Sequence, residues 1–281
     1  MKKVSNSKNS TIGRIFVFTI LLLFALLMIF PLLWMLSTAL KPDYKVMEFP
    51  PVLIPDPALW SNFSDLFSTY NILNYTRNSV FVTFMNIAGN VISCTLVSYG
   101  FAKYKAPGKN VLFSLLLTTM MIPWAVTMVP LFSIFRQIGL YNTYVPLWIR
   151  SFFGNAFLIF LLRQFIMGIP SEMEEAAKID GANVFQTLTS VIVPMLKPPL
   201  SLVVTFTFFW SWNDFLGPLV YLGDSNKATI QLAIRNMQTQ FISPWNYIMA
   251  FSLLSILPCL VIFFMGQKQI VEGISVNGLK Q

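Results

Sequence analysis

"IFVFTILLLFALLMIFPLLWML", residues 15–36, holds no charged side chain over 22 positions. A hydrocarbon core of about 30 Å is crossed by roughly 20 apolar residues rising 1.5 Å each, so this run alone is long enough to span a bilayer. It starts too late and runs too long for the short apolar region of a signal peptide, and no small-residue cleavage site follows it. The reading is therefore a retained helix. The rest of the chain agrees: of 281 residues, 56% are hydrophobic and only 11% charged, against about 25% charged in an average soluble domain.

Working outward, hydropathy predicts six transmembrane helices, near 15–36, 78–101, 111–135, 143–163, 198–221 and 247–266. The expected architecture is an all-α membrane protein, with a single permeation-type domain over 15–266 between tails at 1–14 and 267–281. The fourth span is the least uniform, because Arg150 and Asn155 interrupt it, and Arg150 is placed near the outer interface where a long cationic chain reaches water. Pro123, Pro130 and Pro258 are expected to kink their helices. Residues 37–77 form an external segment with a short helix, and 222–246 a second external excursion.

Charge sets the orientation. The N-terminal tail (Lys2, Lys3, Lys8, Arg14), the second loop (Lys103, Lys105, Lys109), the fourth loop with its edges (Arg163, Lys178, Lys197) and the C-terminal tail (Lys268, Lys280) hold 12 of the 19 basic residues. By the positive-inside rule both termini are cytoplasmic, and so is the fourth loop, about 164–197. The net charge of +8 is thereby spent on orientation, with no separate basic domain for nucleic acid.

Several chemistries are missing. Histidine is absent, which removes His-based metal sites and Ser-His triads. Cys94 and Cys259 fall inside apolar spans without ligand spacing and read as reduced packing residues. "PGKN" at 107–110 lacks the upstream glycine and the hydroxyl of a phosphate-binding loop, so the chain does not hydrolyse ATP by itself. An intramembrane enzyme needs paired acids or metal ligands, and Asp214 has no second carboxylate in another span.

The fourth loop interrupts this lipid-loving chain with "EEAAKIDGANVFQTLTSVIVP", residues 174–194. Ser171 with Glu174 three residues on predicts a capping box that starts a helix. Met173, Ala176, Ala177 and Asp180 then share one small-residue face, while Glu172, Glu175 and Ile179 point elsewhere. Gly181 is placed to end the helix in the left-handed conformation. Asn183 with Gln186 repeats the capping pattern, and Val184, Phe185, Leu188, Val191 and Ile192 give a second helix an apolar stripe before Pro194 and "KPP" close it. Two readings of this hairpin stay open on physics alone: a surface element lying at the headgroups, or a docking element for another protein.

The longer stretch "EEAAKIDGANVFQTLTSVIVPMLKPPL" resembles the EAA loop of permease subunits of bacterial ATP-binding-cassette importers. The match runs through Glu175, Ala176, Ala177, Asp180, Gly181, Ala182, Phe185, Ile192, Pro194 and Pro198. "NSVFVTFMNIAGNVISCTLVSYGFAKYKAPGKN" (78–110), "MIPWAVTMVPLFSIFRQIGLYNTYVPL" (121–147) and "WSWNDFLGPLVYL" (210–222) resemble the sugar-importer branch, in particular the inner six-span permease of the maltose type. The resemblance implies that the EAA loop, between spans four and five, is a coupling helix seated on a cytoplasmic ATPase, with Glu174, Glu175, Ala176, Ala177, Asp180, Gly181, Ala182 and Phe185 as its coupling residues. It implies a second homologous permease, two copies of the ATPase carrying ATP and magnesium, an extracytoplasmic binding protein, and a site in the bacterial cell membrane, with no cofactor bound by this chain. The C-terminal "FMGQKQIVEGISVNGLKQ" (264–281) resembles the family's ATPase-touching tail but departs from it at "SVN".

Within the spans, Asn86 and Asn90 lie one turn apart beside Gly89, as lining of a path or as glue between helices. Trp210, Trp212, Asn213 and Asp214 join amide and carboxylate groups, which bond sugar hydroxyls, to indole faces, which stack on the C–H surface of a pyranose ring. These six residues are the candidate substrate path. The expected function is import of a sugar or oligosaccharide. The alternatives are import of a sugar acid or glycerol phosphate, which favours additional cations along the path, and a channel or facilitator that needs no ATPase.

Overall fold

The computed structural model describes the backbone of residues 7–238 and 243–278 and the side chains of residues 13–238 and 243–268. Lys2, Lys3 and Lys280, used above to orient the tails, lie outside the described residues. The elements in chain order are α1 (Ser7–Ala39), α2 (Asp43–Val46), α3 (Ser61–Thr69), α4 (Ile72–Lys103), α5 (Lys109–Thr118), α6 (Trp124–Gln137), α7 (Val145–Trp148), α8 (Ala156–Met167), α9 (Glu172–Ile179), α10 (Val184–Thr187), α11 (Val193–Met195), α12 (Lys197–Trp212), α13 (Leu216–Tyr221), α14 (Ile230–Asn236) and α15 (Trp245–Gly278). Four helical stretches are long and apolar enough to cross a membrane, or up to six if each of two bent pairs counts as one span.

The two bent pairs revise the expected spans. The third span breaks by 96° between Lys109–Met121 and Trp124–Gln137. Ile122, extended at φ −82° and ψ 113°, precedes Pro123, whose ring disfavours the helical conformation in the residue before it. The fifth span ends at Trp212 instead of running to 221, and at its other end it meets Val184–Met195 at 81°. There Leu196 (φ −88°, ψ 7°) leads into Pro198 and Pro199, which have no amide to continue a helix. At Asn213 the side-chain amide donates to the Phe209 carbonyl at 3.0 Å, a local bond that competes with the helical ladder.

The fourth span is composite: α7, a 3-10 turn over Ile149–Phe153, then Gly154 and α8. The first external segment contains two short helices, α2 and α3, where one was expected. The last helix continues to Gly278, so the expected tail from 267 begins as a helical extension.

The chain divides into two compact units, one made of residues up to Tyr70 with Met237–Ile256, the other of Asn71–Asn236 with the chain from Leu257 on. In the first, the Asn62 amide donates to the carbonyls of Ala39 (2.8 Å) and Lys41 (2.9 Å), and the Lys41 ammonium lies 5.3 Å from the Trp34 ring centre. In the second, α4 is the central post. It buries Asn78, Ser79, Thr83, Asn90, Ser93, Cys94, Thr95, Ser98 and Tyr99, a polar list that soluble helices would turn to water.

In lipid the preference inverts, because a hydroxyl or amide facing hydrocarbon goes unpaired. Accordingly Ser98 donates to the Ile159 carbonyl at 3.0 Å, Ser93 to the Ser151 carbonyl at 2.7 Å, and the Asn78 amide to the carbonyls of Asn226 and Ala228 at 3.0 Å each. Gly89 permits a close approach of α4 to the 149–153 turn. A methyl group there would lie 2.8 Å from the Phe152 ring and 2.9 Å from the Ser151 carbonyl carbon. Cys94 is fully buried, and neither it nor Cys259 forms a disulfide.

Candidate functional site: a polar cavity and an exposed helical hairpin

Within the second unit, α4, the composite fourth span and α12–α13 enclose a cavity of about 480 Å³. Asn86 and Asn90 line it, and each is held by hydrogen bonds that fix its amide. Asn86 Nδ2 donates to the Val82 and Leu147 carbonyls (3.0 and 3.2 Å) and to Ser211 Oγ (3.1 Å), while its Oδ1 accepts from Ser151 Oγ at 2.5 Å. Asn90 Nδ2 donates to Thr207 Oγ1 at 3.2 Å. Both asparagines therefore serve as glue and as lining at once.

The tryptophan-rich cluster separates. Trp210 lines the cavity, half exposed, with its indole stacked on Phe206 at 5.9 Å between centres. Trp212 lies on the other side of the helix, buried against Phe208 at 5.4 Å. Asn213 is exposed outside the lining. Asp214 reaches the cavity, but one of its oxygens accepts the Gly217 amide at 3.0 Å and so caps the start of α13.

Sequence reasoning missed Ser151, Thr207, Ser211 and Tyr221 as lining, along with Trp124. Thr207 and Ser211 on α12 and Asp214 just beyond its end recur at i, i+4 and i+7, a polar stripe that the span's apolar average concealed. Arg150 is exposed at the cavity and has no ion-pair partner among the described residues. No cluster of acidic, cysteine or histidine side chains able to hold a metal occurs among the described residues.

The hairpin is built by α9 and the helical stretch 184–195. Gly181, at φ +82°, ends α9 in the left-handed region where a side chain is strained, and the Ala182 amide returns to the Ala177 carbonyl at 2.9 Å. Asn183 caps the second helix in the expected capping box: Gln186 N–H donates to Asn183 Oδ1, and Asn183 N–H to Gln186 Oε1, both at 2.9 Å. The first expected box does not form. Ser171 makes no side-chain cap, being itself helical at φ −68° and ψ −25°, so that the Glu174 amide donates to its carbonyl at 3.0 Å, while the Glu174 side chain turns inward to pair with Lys103 at 2.9 Å.

The expected small-residue face also divides. Ala177 is buried with Glu174, while Ala176 and Asp180 stay exposed beside Met173, Glu175 and Ile179. In the second helix the stripe splits: Leu188 and Ile192 pack with Tyr99, Ile166, Ile169 and Leu196, whereas Val184 and Phe185 remain outside, Phe185 at 67% exposure. A π-helical turn over Leu188–Ile192 makes the change of face.

Comparison with known proteins fits these features. The chain is 28% identical over 256 residues to the lactose transport system permease protein LacG of Rhizobium radiobacter, covering 91% of this chain and 93% of that one. It is 30% identical over 268 residues to the sn-glycerol-3-phosphate transport system permease protein UgpE of Yersinia pestis, covering 92% and 95%. In fold it is similar to a chain of a bacterial ABC transporter that imports the acidic polysaccharide alginate, with a TM-score of 0.83 at 23% identity over 95% of this chain and 99% of that chain. Residues 89–276 match the family described as binding-protein-dependent transport system inner membrane component. Matched by the family over residues 89–276 and by relatives over most of its length, this helical membrane chain belongs to the binding-protein-dependent transport system inner membrane components, as a transport subunit and not an enzyme.

Proposed function

We propose that this chain is the permease subunit of an ATP-driven importer of a sugar or oligosaccharide. It works with a second, homologous permease, two cytoplasmic ATPase subunits and an extracytoplasmic binding protein, with both of its own termini in the cytoplasm. The observation that carries the reading is the two-sided hairpin. Its inner side is buried on the membrane helices, while Met173, Glu175, Ala176, Ile179, Asp180, Val184 and Phe185 are exposed together on the other. An apolar patch with an acidic rim, in a loop flanked by orienting lysines, has the composition of a docking face.

In this mechanism the binding protein delivers substrate from outside, ATP binding draws the two ATPases together, and the push arrives on the exposed face of α9. A helix capped at its turn by Gly181 and Asn183 transmits displacement where a floppy loop would absorb it. The cavity is this chain's share of the path. Its amides and hydroxyls suit sugar hydroxyls, Trp210 offers a ring to a pyranose face, and about 480 Å³ falls within the range of roughly 300–1,000 Å³ common for small-ligand sites. The names of relatives handling lactose and arabinooligosaccharides support the sugar assignment.

Gly181→Leu and Glu175→Lys test the reading in the purified complex. ATP hydrolysis is expected to continue while uptake of labelled oligosaccharides into proteoliposomes falls. Normal uptake per ATP in Gly181→Leu would count strongly against it. A second reading rests on Arg150, whose unpaired guanidinium at the cavity favours an anionic substrate such as a sugar acid or glycerol phosphate. Competition of uptake by neutral sugars and by their phosphates or uronic acids decides between the two. Membership of a binding-protein-dependent family argues against the self-contained channel or facilitator.

A further inference from the structure

Glu174 lies on the side of α9 opposite the exposed face. It is 8% exposed, and its two oxygens are gripped by one helix: Lys103 Nζ lies 2.9 Å from Oε1, and Tyr99 Oη donates to Oε2 at 3.2 Å. Lys103 Nζ also donates to the Ile169 carbonyl at 2.7 Å, which ties the turn leading into α9. Tyr99 is itself part of the apolar cluster with Ile166, Ile169, Leu188, Ile192 and Leu196. The end of α4 is therefore locked both to α9 by charge and to the second hairpin helix by packing.

The same helix carries the cavity's asparagines. Asn90 and Lys103 are separated by 13 positions, about 20 Å along an unbroken helix. For stability alone an apolar contact would serve as well as a nearly buried ion pair, whose desolvation cost offsets most of its attraction. What the pair adds is a fixed register between two elements.

We propose that Glu174 is a positioning residue that locks α9 to α4 through Lys103 and Tyr99, so that displacement of the hairpin is delivered along α4 to the cavity wall at Asn90 and Asn86. The proposal rests on the reading of α9 as the ATPase-facing element. Glu174 then belongs to the transmission inside this chain, and the exposed residues of α9 to the contact with the partner.

The test uses the assembled transporter with Cys94 and Cys259 replaced by alanine and a reporter thiol at Phe153→Cys, an 81% exposed residue at the cavity. Labelling by a membrane-impermeant maleimide is compared without nucleotide and with ATP plus vanadate, while co-purification of the ATPase is followed separately. In the parent, nucleotide changes the labelling rate. In Glu174→Gln and in Lys103→Met the ATPase is expected to remain bound while that nucleotide-dependent ratio falls at least fivefold, the low end of couplings of about 5–150-fold. The exchanged pair Glu174→Lys with Lys103→Glu is expected to recover it.

A role confined to stability lowers the amount of complex and leaves the ratio per complex unchanged, which overturns the proposal. So does an exchanged pair no better than the single variants. Should the single variants not assemble, Tyr99→Phe keeps the ring and removes one donor, and an unchanged ratio there also overturns it. If the parent retains no ATPase and shows no nucleotide effect, it is the docking reading that fails.

Discussion

Helices α1 and α4 are both apolar and both more than 30 residues long, yet they follow opposite rules. None of the most apolar stretch of α1 is buried within the chain, whereas 39% of that of α4 is. The more lipophilic helix is the less packed one. Hydrocarbon already satisfies an apolar side chain, so burial among other helices is driven by the groups that lipid cannot satisfy. On α4 these are chiefly serine and asparagine: Asn78, Asn86, Asn90, Ser93 and Ser98 each donate to a neighbour's carbonyl or hydroxyl.

The contrast is tested most severely at Gly89. Gly89→Leu drives a side chain into the Phe152 ring and the Ser151 backbone, and the expected cost is about 3 kcal/mol, the upper end of overpacking. Size-exclusion profiles and detergent thermal stability should show loss of the folded protein. Survival at parental stability would mean that α4 and the 149–153 turn separate freely.

A middle effect is expected at Asn86. Asn86→Leu leaves Ser151 and Ser211 without their shared partner, and interhelical hydrogen bonds in membranes contribute roughly 0.6–1.7 kcal/mol. The predicted outcome is a modest fall in melting temperature with a larger fall in transport, because the same amide faces the cavity. A stability change without a transport change would reduce Asn86 to glue.

The smallest effect is expected on α1. Phe18 is 66% exposed, and Phe18→Ala should change the stability of the isolated subunit by less than about 0.5 kcal/mol. A larger loss measured in the same assay would break the comparison, since it would mean that the exposed side of α1 is packed and not merely dissolved.

Much of this was readable in the chain. Uncharged runs announced the spans, and the Asn183 and Gln186 pair announced its capping box. Gly181 announced the end of α9. The failures share a cause. Ser171 and Glu174 have the spacing of a capping box, but local spacing cannot register that Lys103, 71 positions away, draws the same carboxylate into a nearly buried ion pair. Trp210 and Trp212 read as one cluster because periodicity was averaged over a long apolar helix, and only their opposite faces separate a cavity wall from a packed core.

The sequence by itself determined that the chain enters a membrane, roughly where it crosses, and that a capped polar hairpin interrupts it. These follow from local free energies: transfer of apolar runs to lipid, the backbone limits of proline and glycine, and caps made within four residues. The tertiary structure alone decided which asparagines face a cavity, which side of α9 is left outside, and that Glu174 is held by α4. Those outcomes depend on pairing groups far apart in the chain, where a buried polar atom takes whichever partner the packing brings within hydrogen-bond distance.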